Sequence, residues 1–510
     1  MSDRFRTAPN LPSIHLARQL VLAAFPLVIL ASLLFAAWQT GPWFDEFWSF
    51  YFADPSTGLD EAFRSKWTLD VHPPLFSFLA WLASQLCLPR TLEAGRMLNL
   101  VPLLASAAYL AGFWRLNRED RAFLATFLPA AVALAQFQAT FVEFRSYFTG
   151  VCAFIVMLAC LKRLDRSAED PLQGANRGLI WSGQIVSLAL CLNLHFVFAL
   201  LAMALVGTFA LAALLRGDRR LFLAHLLTGI ACCLPLAATT AAQSAYLAST
   251  SKDFWLKTTQ EGAVHLLLQS VISPIGQSSL MSFAWLGALG LRVMSREKRQ
   301  SDNRHAVILL LSIIAASALI LAYTAATGAL TGRYLIPICL TVVAALAAAT
   351  GQALWQNGLL QTLFLLACAA ATVLTSFEAA RVPQWNEAAS FVAARQKACP
   401  GARIAPLRSM LQDATANVEA NYDMAYAYLA NRWHMTLGPL DKTPTAPRDP
   451  ACPDYYWIDN QFAAKRPEPV LKAEFLRRFP QLHTCSIRTH VMESEAVVFE
   501  VSGDPPLCDR

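Results

Sequence analysis

Charge is scarce in this chain of 510 residues: Asp, Glu, Lys and Arg make up 15% of it, while apolar side chains reach 56%. An ordinary soluble domain carries roughly 25% charged residues, so the shortage excludes a purely water-soluble protein. Internal repeats, low-complexity segments and the Cys/His spacings of metal sites are also missing. The net charge of +6 makes no case for nucleic acid. Most Lys and Arg lie in short loops between apolar runs, where they record membrane topology rather than a binding face.

The chain has instead a series of runs of about 17 to 24 apolar residues, the length that crosses a hydrocarbon core of roughly 30 Å. The first, Leu20 to Trp38, is too long for a signal-peptide core and has no small-residue cleavage site, so it reads as a retained helix. Eleven spans are expected: 18–39, 97–114, 121–139, 146–162, 178–192, 194–215, 221–242, 279–294, 305–326, 334–351 and 358–376. A twelfth apolar stretch, Pro73 to Leu88, has only 16 residues and opens on Pro-Pro. Counting it as a span would turn Arg115, Arg118, Arg121, Lys162, Arg163, Arg216 to Arg220 and Arg292 to Arg304 outward, against the positive-inside rule. Laid along the outer interface or re-entering, it leaves all those loops and the N-terminus cytoplasmic.

The expected fold is therefore an all-α polytopic membrane bundle (residues 1–377) with outer-face juxtamembrane helices, followed by a small α+β periplasmic domain (378–510). In the latter, WNEAASFVAARQKA reads as an amphipathic helix, and DYYWIDN and EAVVFEVS read as strands. Of the 12 cysteines, eight lie in or beside apolar segments as small packing residues. The other four, Cys399, Cys452, Cys485 and Cys508, fall in the C-terminal region, where an even number fits disulfides in an oxidising compartment with three connectivities open.

On this topology Asp45, Glu46, Asp70, His72, Glu143, Arg145, His195 and Arg333 all emerge at the outer face. Ionisable groups at a membrane are costly, and their convergence on one side marks a functional site. The aromatic cluster from Trp43 to Phe52 reads first as an interfacial belt. Arg64 and Lys66 place positive charge near the headgroups, as phosphate-steering groups or as a solvated face.

Six motifs occur in order: the acidic pair in WFDEFWSF, HPPL (His72 to Leu75), GRMLN (Gly95 to Asn99), VEFRSY (Val142 to Tyr147), NLHFVF (Asn193 to Phe198) and GRYLIP (Gly332 to Pro337). Over roughly residues 15–376 the chain resembles the bacterial relatives of dolichyl-phosphate-mannose protein mannosyltransferases and lipid A aminoarabinose transferases, in the C-type (GT-C) glycosyltransferase superfamily. The resemblance implies transfer of a sugar from a polyprenyl-phosphate donor to an acceptor hydroxyl on a glycolipid, polysaccharide or protein, at the periplasmic face of a bacterial inner membrane. Such a reaction needs a base for the acceptor proton and a carboxylate near an oxocarbenium-like centre. Asp45 matches the family's first acidic position and is the expected general base, against a plain role as an interfacial cap. Glu46 divides between sugar contact and structure, because neighbours on a helix do not share a face.

Glu143 and Arg145 are expected to contact substrate or to close a loop on each other. Arg333, beside Tyr334, is the best phosphate ligand, because a guanidinium grips two oxygens at once. His72 and His195 are substrate-contact candidates, with helix-start and helix-cap roles as the plain alternatives. No cofactor is obligatory in this reading, although Asp45, Glu46 and Glu143 leave room for a divalent cation. A polyprenyl-linked glycan ligase or polymerase is the rival enzyme; its key residues would sit in a later loop. A lipid-linked sugar flippase or transporter is the rival from another class, and would call for midplane polar sites, broken helices and repeat symmetry.

Overall fold

The computed structural model describes residues 12–86, 91–114, 118–167, 177–250, 258–276, 278–294, 300–408, 416–442, 451–459, 466–494 and 496–502. The chain divides into two compact units, one of residues up to Trp38 with Thr57–Ala379, the other of Gln39–Ser56 with Ala380–Arg510.

The first unit is helical. Among the described residues nine helices are long and apolar enough to cross a membrane, and a bent pair, Asp120–Val132 with Ala135–Phe141, makes ten if read as one span. Eleven were expected; the difference is the stretch from residue 279, which forms a shorter apolar helix, Ser279–Val293. Segment 73–88 contributes only the helix Leu75–Gln85, too short to cross. The bent pair turns by 67°. Pro129 removes a backbone donor within its first helix, and Gln138 Nε2 donates to Val132 O at 3.0 Å beside the break. Ser376 Oγ in turn donates to Gln138 Oε1 at 2.9 Å, so this buried carboxamide is used at both ends.

Helices Ser146–Ser167 and Ile336–Gln356 are buried along nearly their whole length and form the centre of the unit. The outer helices turn Leu27, Leu104, Leu227 and Leu286 outward, an apolar surface suited to lipid rather than water. Polar clusters occupy the two ends. Arg145 and His195 directly precede Ser146–Ser167 and Phe196–Leu215, whose other ends carry Asp165 and Arg216. At 1.5 Å per residue those ends are about 30 Å apart, a hydrocarbon thickness. At the second end Asp165 pairs with Arg216, with Arg304 at 3.0 Å and with His305 at 3.0 Å, and Asp120 lies 3.6 Å from Lys162 and 3.3 Å from Arg163. Basic loops expected on one side of the membrane thus meet at one end of the unit.

The second unit is α+β. Strands β1 (Ile404–Leu407), β2 (Asp454–Ile458), β3 (Ser486–Val491) and β4 (Val497–Ser502) form a sheet in the order β1-β2-β4-β3, with β1 parallel to β2 and the other pairs antiparallel. Alternation along the strands sends Tyr456, Ile458, Val497 and Phe499 into one core with Leu471 and Phe475 of helix Glu468–Arg478. On helix Ala416–Trp433, Tyr426 Oη lies 2.8 Å from Leu407 O as donor, and its ring meets Trp457 edge-on at 4.8 Å. The expected helix at 385 and the strands in DYYWIDN and EAVVFEVS are present. Cys399 is bonded to Cys452; Cys508 lies outside the described residues.

Residues 39–56 belong to this unit. Gly41 N–H donates to Val382 O at 3.1 Å and Trp385 N–H to Pro42 O at 3.2 Å. A Cβ on Gly41 would stand 1.9 Å from Pro383 O, so only glycine allows the approach. Helix Phe44–Phe52 then stacks Phe44 on Trp385 at 5.6 Å, sets Phe47 at 5.3 Å from the same indole, and joins Tyr51 Oη to Asn417 Oδ1 at 2.8 Å. The aromatic run read from sequence as an interfacial belt also packs within this unit. Aromatic rings serve either purpose, and the partner side chains lie more than 300 positions away.

Candidate active site

The first unit gathers Asp70, His72, Glu143, Arg145, Tyr147, His195, Arg333 and Tyr334 at the end opposite Asp165. Three loops, a short turn and, for Tyr147, the start of helix Ser146–Ser167 supply them. The Pro-Pro after His72 leads directly into helix Leu75–Gln85. In the GRMLN segment Arg96 donates from Nη1 to Ala37 O at 3.0 Å, and Asn99 Nδ2 donates to Phe141 O and Glu143 O, both at 2.9 Å. Gly95 lets the Phe144 ring close in, since a Cβ there would meet it at 2.9 Å. Segment 141–145 is thereby held before helix Ser146–Ser167 begins. Arg333 and Tyr334 lie in the turn Gly332–Leu335, whose Tyr334 N–H donates to Thr331 O at 3.1 Å; Pro337 follows in the first turn of Ile336–Gln356.

The side chains form a connected set. His72 Nδ1 is 3.3 Å from Asp70 Oδ1 and 3.5 Å from Arg145 Nη2. The His72 and His195 rings are 5.1 Å apart, and His195 lies 4.6 Å from Tyr334 and 5.3 Å from Tyr147. Arg333 stands over the Tyr147 ring at 5.6 Å and reaches Glu143 Oε2 at 3.5 Å.

Protonation follows from these neighbours. Burial works to raise the Asp70 pKa, but His72, Arg145 and the Val71 N–H together outweigh it, so Asp70 is held below the ordinary carboxylate value and stays charged. His195 is pushed well below the ordinary histidine value, first by burial and then by His72, Arg145 and Arg333. Its Nδ1 accepts Val197 N–H at 3.2 Å as the cap of helix Phe196–Leu215, so the neutral ring carries its proton on Nε2 and is a donor. The plain role read for His195, a helix cap, is present, and the ring also joins the cluster.

Seven of the residues named from sequence are thus brought together: Asp70, His72, Glu143, Arg145, His195, Arg333 and Tyr334. Glu143 meets Arg333 as well as standing beside Arg145. Arg64 forms an exposed pair with Asp60 at 2.8 Å, and Lys66 Nζ donates to Thr57 Oγ1 at 2.9 Å in a buried position. Asp45 and Glu46 belong to the second unit. Glu46 is buried and accepts Trp43 N–H at Oε2, 3.0 Å, closing the helix start at its third position, as in half of a capping box. Asp45, about 100° round the helix, is half-buried. Among the described residues no three His, Cys, Asp or Glu are gathered as a metal-binding group.

Sequence reasoning missed the supports: Asn99 as a clamp, Tyr147 as a cation platform, and Gln243. Gln243 was visible as a lone carboxamide near the end of an apolar helix, which is where a polar side chain needs a reason.

The chain combines a multi-span helical bundle that has a polar cluster at one end with a small α+β unit. The fold is that of ArnT, the lipid A aminoarabinose transferase: the apo crystal structure from Cupriavidus metallidurans matches with a TM-score of 0.52 and 12% identity over 94% of this chain and 97% of that one. The structure of the same protein bound to undecaprenyl phosphate matches at 0.51 and 14%, with the same coverage. No protein-family model and no curated protein sequence matches the chain.

Proposed function

We propose that the chain is a bacterial inner-membrane glycosyltransferase that moves a sugar from a polyprenyl-phosphate donor to a hydroxyl of a glycolipid, polysaccharide or protein, at the periplasmic face. The observation that carries this reading is the gathering of Arg145, Arg333, His72, His195 and Tyr334 at one end of an ArnT-like bundle. Two guanidiniums, a neutral histidine donor and a phenol suit a phosphate leaving group at a membrane boundary. In this reading Asp45 takes the acceptor's proton, the freed oxygen bonds to the anomeric carbon, and the sugar–phosphate C–O bond breaks with its electron pair going to the polyprenyl phosphate. Arg333 and Arg145 stabilise the charge that develops there. Glu46 fixes the helix that carries Asp45. The arginine-rich end around Asp165 is then cytoplasmic, as is the N-terminus, and the second unit is periplasmic.

Purified wild type in lipid, supplied with a polyprenyl-phosphate sugar, is expected to transfer it, and Asp45→Asn to lose turnover while still binding undecaprenyl phosphate. Turnover retained by that variant would remove Asp45 as base. Movement of lipid-linked sugar across the bilayer without transfer would favour the flippase. An effect of EDTA on turnover measures whether a divalent cation takes part. Reporter fusions after Arg90 and Asn117 are expected outside and inside respectively; the reverse pattern rejects the topology.

A further inference from the structure

Gln243 stands on the long helix Arg219–Thr250 and is 1% exposed. Its Nε2 lies 3.1 Å from Trp67 O, 3.1 Å from Asp70 O and 2.8 Å from His72 O. Three carbonyls around one nitrogen fix which way the carboxamide faces, since turning it over would set Oε1 against three oxygens. Two N–H groups serve three acceptors, so one is shared. The segment they grip is the one that presents Asp70 and His72, and it has no regular structure of its own between Trp67–Leu69 and Leu75–Gln85. A side chain without N–H at this depth would leave the three carbonyls to find other donors.

We propose that Gln243 is a positioning residue of the candidate active site, holding the Asp70–His72 segment so that the His72 ring is aimed beside Arg145 and His195 at the phosphate end of the donor. The inference rests on the glycosyltransferase reading of that cluster. It assigns the helix Arg219–Thr250 a part in donor binding although none of its side chains is needed to touch the lipid.

The test is a double-substitution cycle on the full-length protein in lipid, with undecaprenyl phosphate as probe. Gln243→Glu keeps the shape and removes every N–H; Gln243→Met, with no buried charge, is the second variant should the first fail to fold. Either is expected to weaken binding on the order of 10-fold, the effect of misplacing a contact by a fraction of an ångström to an ångström. Combined with His72→Ala the substitution is expected to add nothing further, whereas combined with Arg333→Ala the two losses multiply. A merely structural role would multiply with both, and that result overturns the proposal while leaving the function standing. Wild type that does not bind the lipid removes the functional reading, and this inference with it. Binding by Gln243→Glu and Gln243→Met equal to wild type also overturns the positioning role.

Discussion

The two ends of the membrane unit are both rich in charge, but they are built differently. Around Asp165, one carboxylate receives Arg216, Arg304 and His305, the last two at 3.0 Å. Around His72 the side-chain contacts, His72 with Asp70 and Arg145 and Arg333 with Glu143, are interleaved with aromatic rings: Tyr147, Tyr334 and the two imidazoles. The first arrangement joins helix ends to one another. The second sets cations and carboxylates among aromatic rings, where the proposed function puts the donor phosphate. That interleaving, more than the number of charges, distinguishes the two ends.

The sharpest way to break that comparison is to remove its centre on the anchoring side. Asp165→Ala leaves Arg216, Arg304 and His305 without their shared carboxylate. Losing one partner of a buried pair costs about 3 to 5 kcal/mol, and the lower figure applies because both arginines are partly exposed. Thermal unfolding in detergent is expected to show a large drop in stability, with affinity for undecaprenyl phosphate in the surviving folded fraction unchanged. A selective loss of lipid affinity would mean that the two ends are not separate in function. The converse substitution, Arg333→Ala, is expected to do the opposite. It removes a charge-assisted contact of about 1.5 to 3 kcal/mol from binding, roughly 10- to 100-fold in Kd, with little change in unfolding temperature.

Much of this contrast was legible in the sequence, for identifiable reasons. A run such as Leu20 to Trp38 declares itself because crossing a bilayer needs length and apolarity and little else. The placement of His72, Arg145, His195 and Arg333 at one end followed from threading those runs by loop charge. What stayed hidden depends on partners distant in the chain. Nothing local to Asn99 says that its carboxamide holds residues 141 and 143, and nothing near Gln243 points to residues 67–72. Glu46 was readable: a Glu three positions after Trp43 at a helix start is a capping position, the structural one of the two roles its sequence left open. The fate of the aromatic helix Phe44–Phe52 was not readable, because rings that suit a membrane interface suit a domain seam equally well.

The smallest expected effect sharpens the comparison within the site itself. Asp70 and His195 are both displaced from their ordinary values, and both shifts act on stability as pH falls, in different windows. Asp70 is held low, so its contribution is complete above the unfolded carboxylate value of 3.8 and is lost only as pH falls through its still lower folded value. It is silent between pH 5 and 8. His195 is also held low, from an ordinary 6.5. Below that value the unfolded chain takes up a proton that the folded ring refuses, so stability falls as pH drops from about 6.5 toward the folded value. Unfolding temperature measured from pH 7.5 down to 5.5 is expected to decline, and His195→Asn, which retains an acceptor for Val197 N–H but cannot titrate, to flatten the decline. An unchanged slope in that variant would show that His195 is not the neutral donor among Arg145, Arg333 and His72, and that the cluster's charge is arranged around another group.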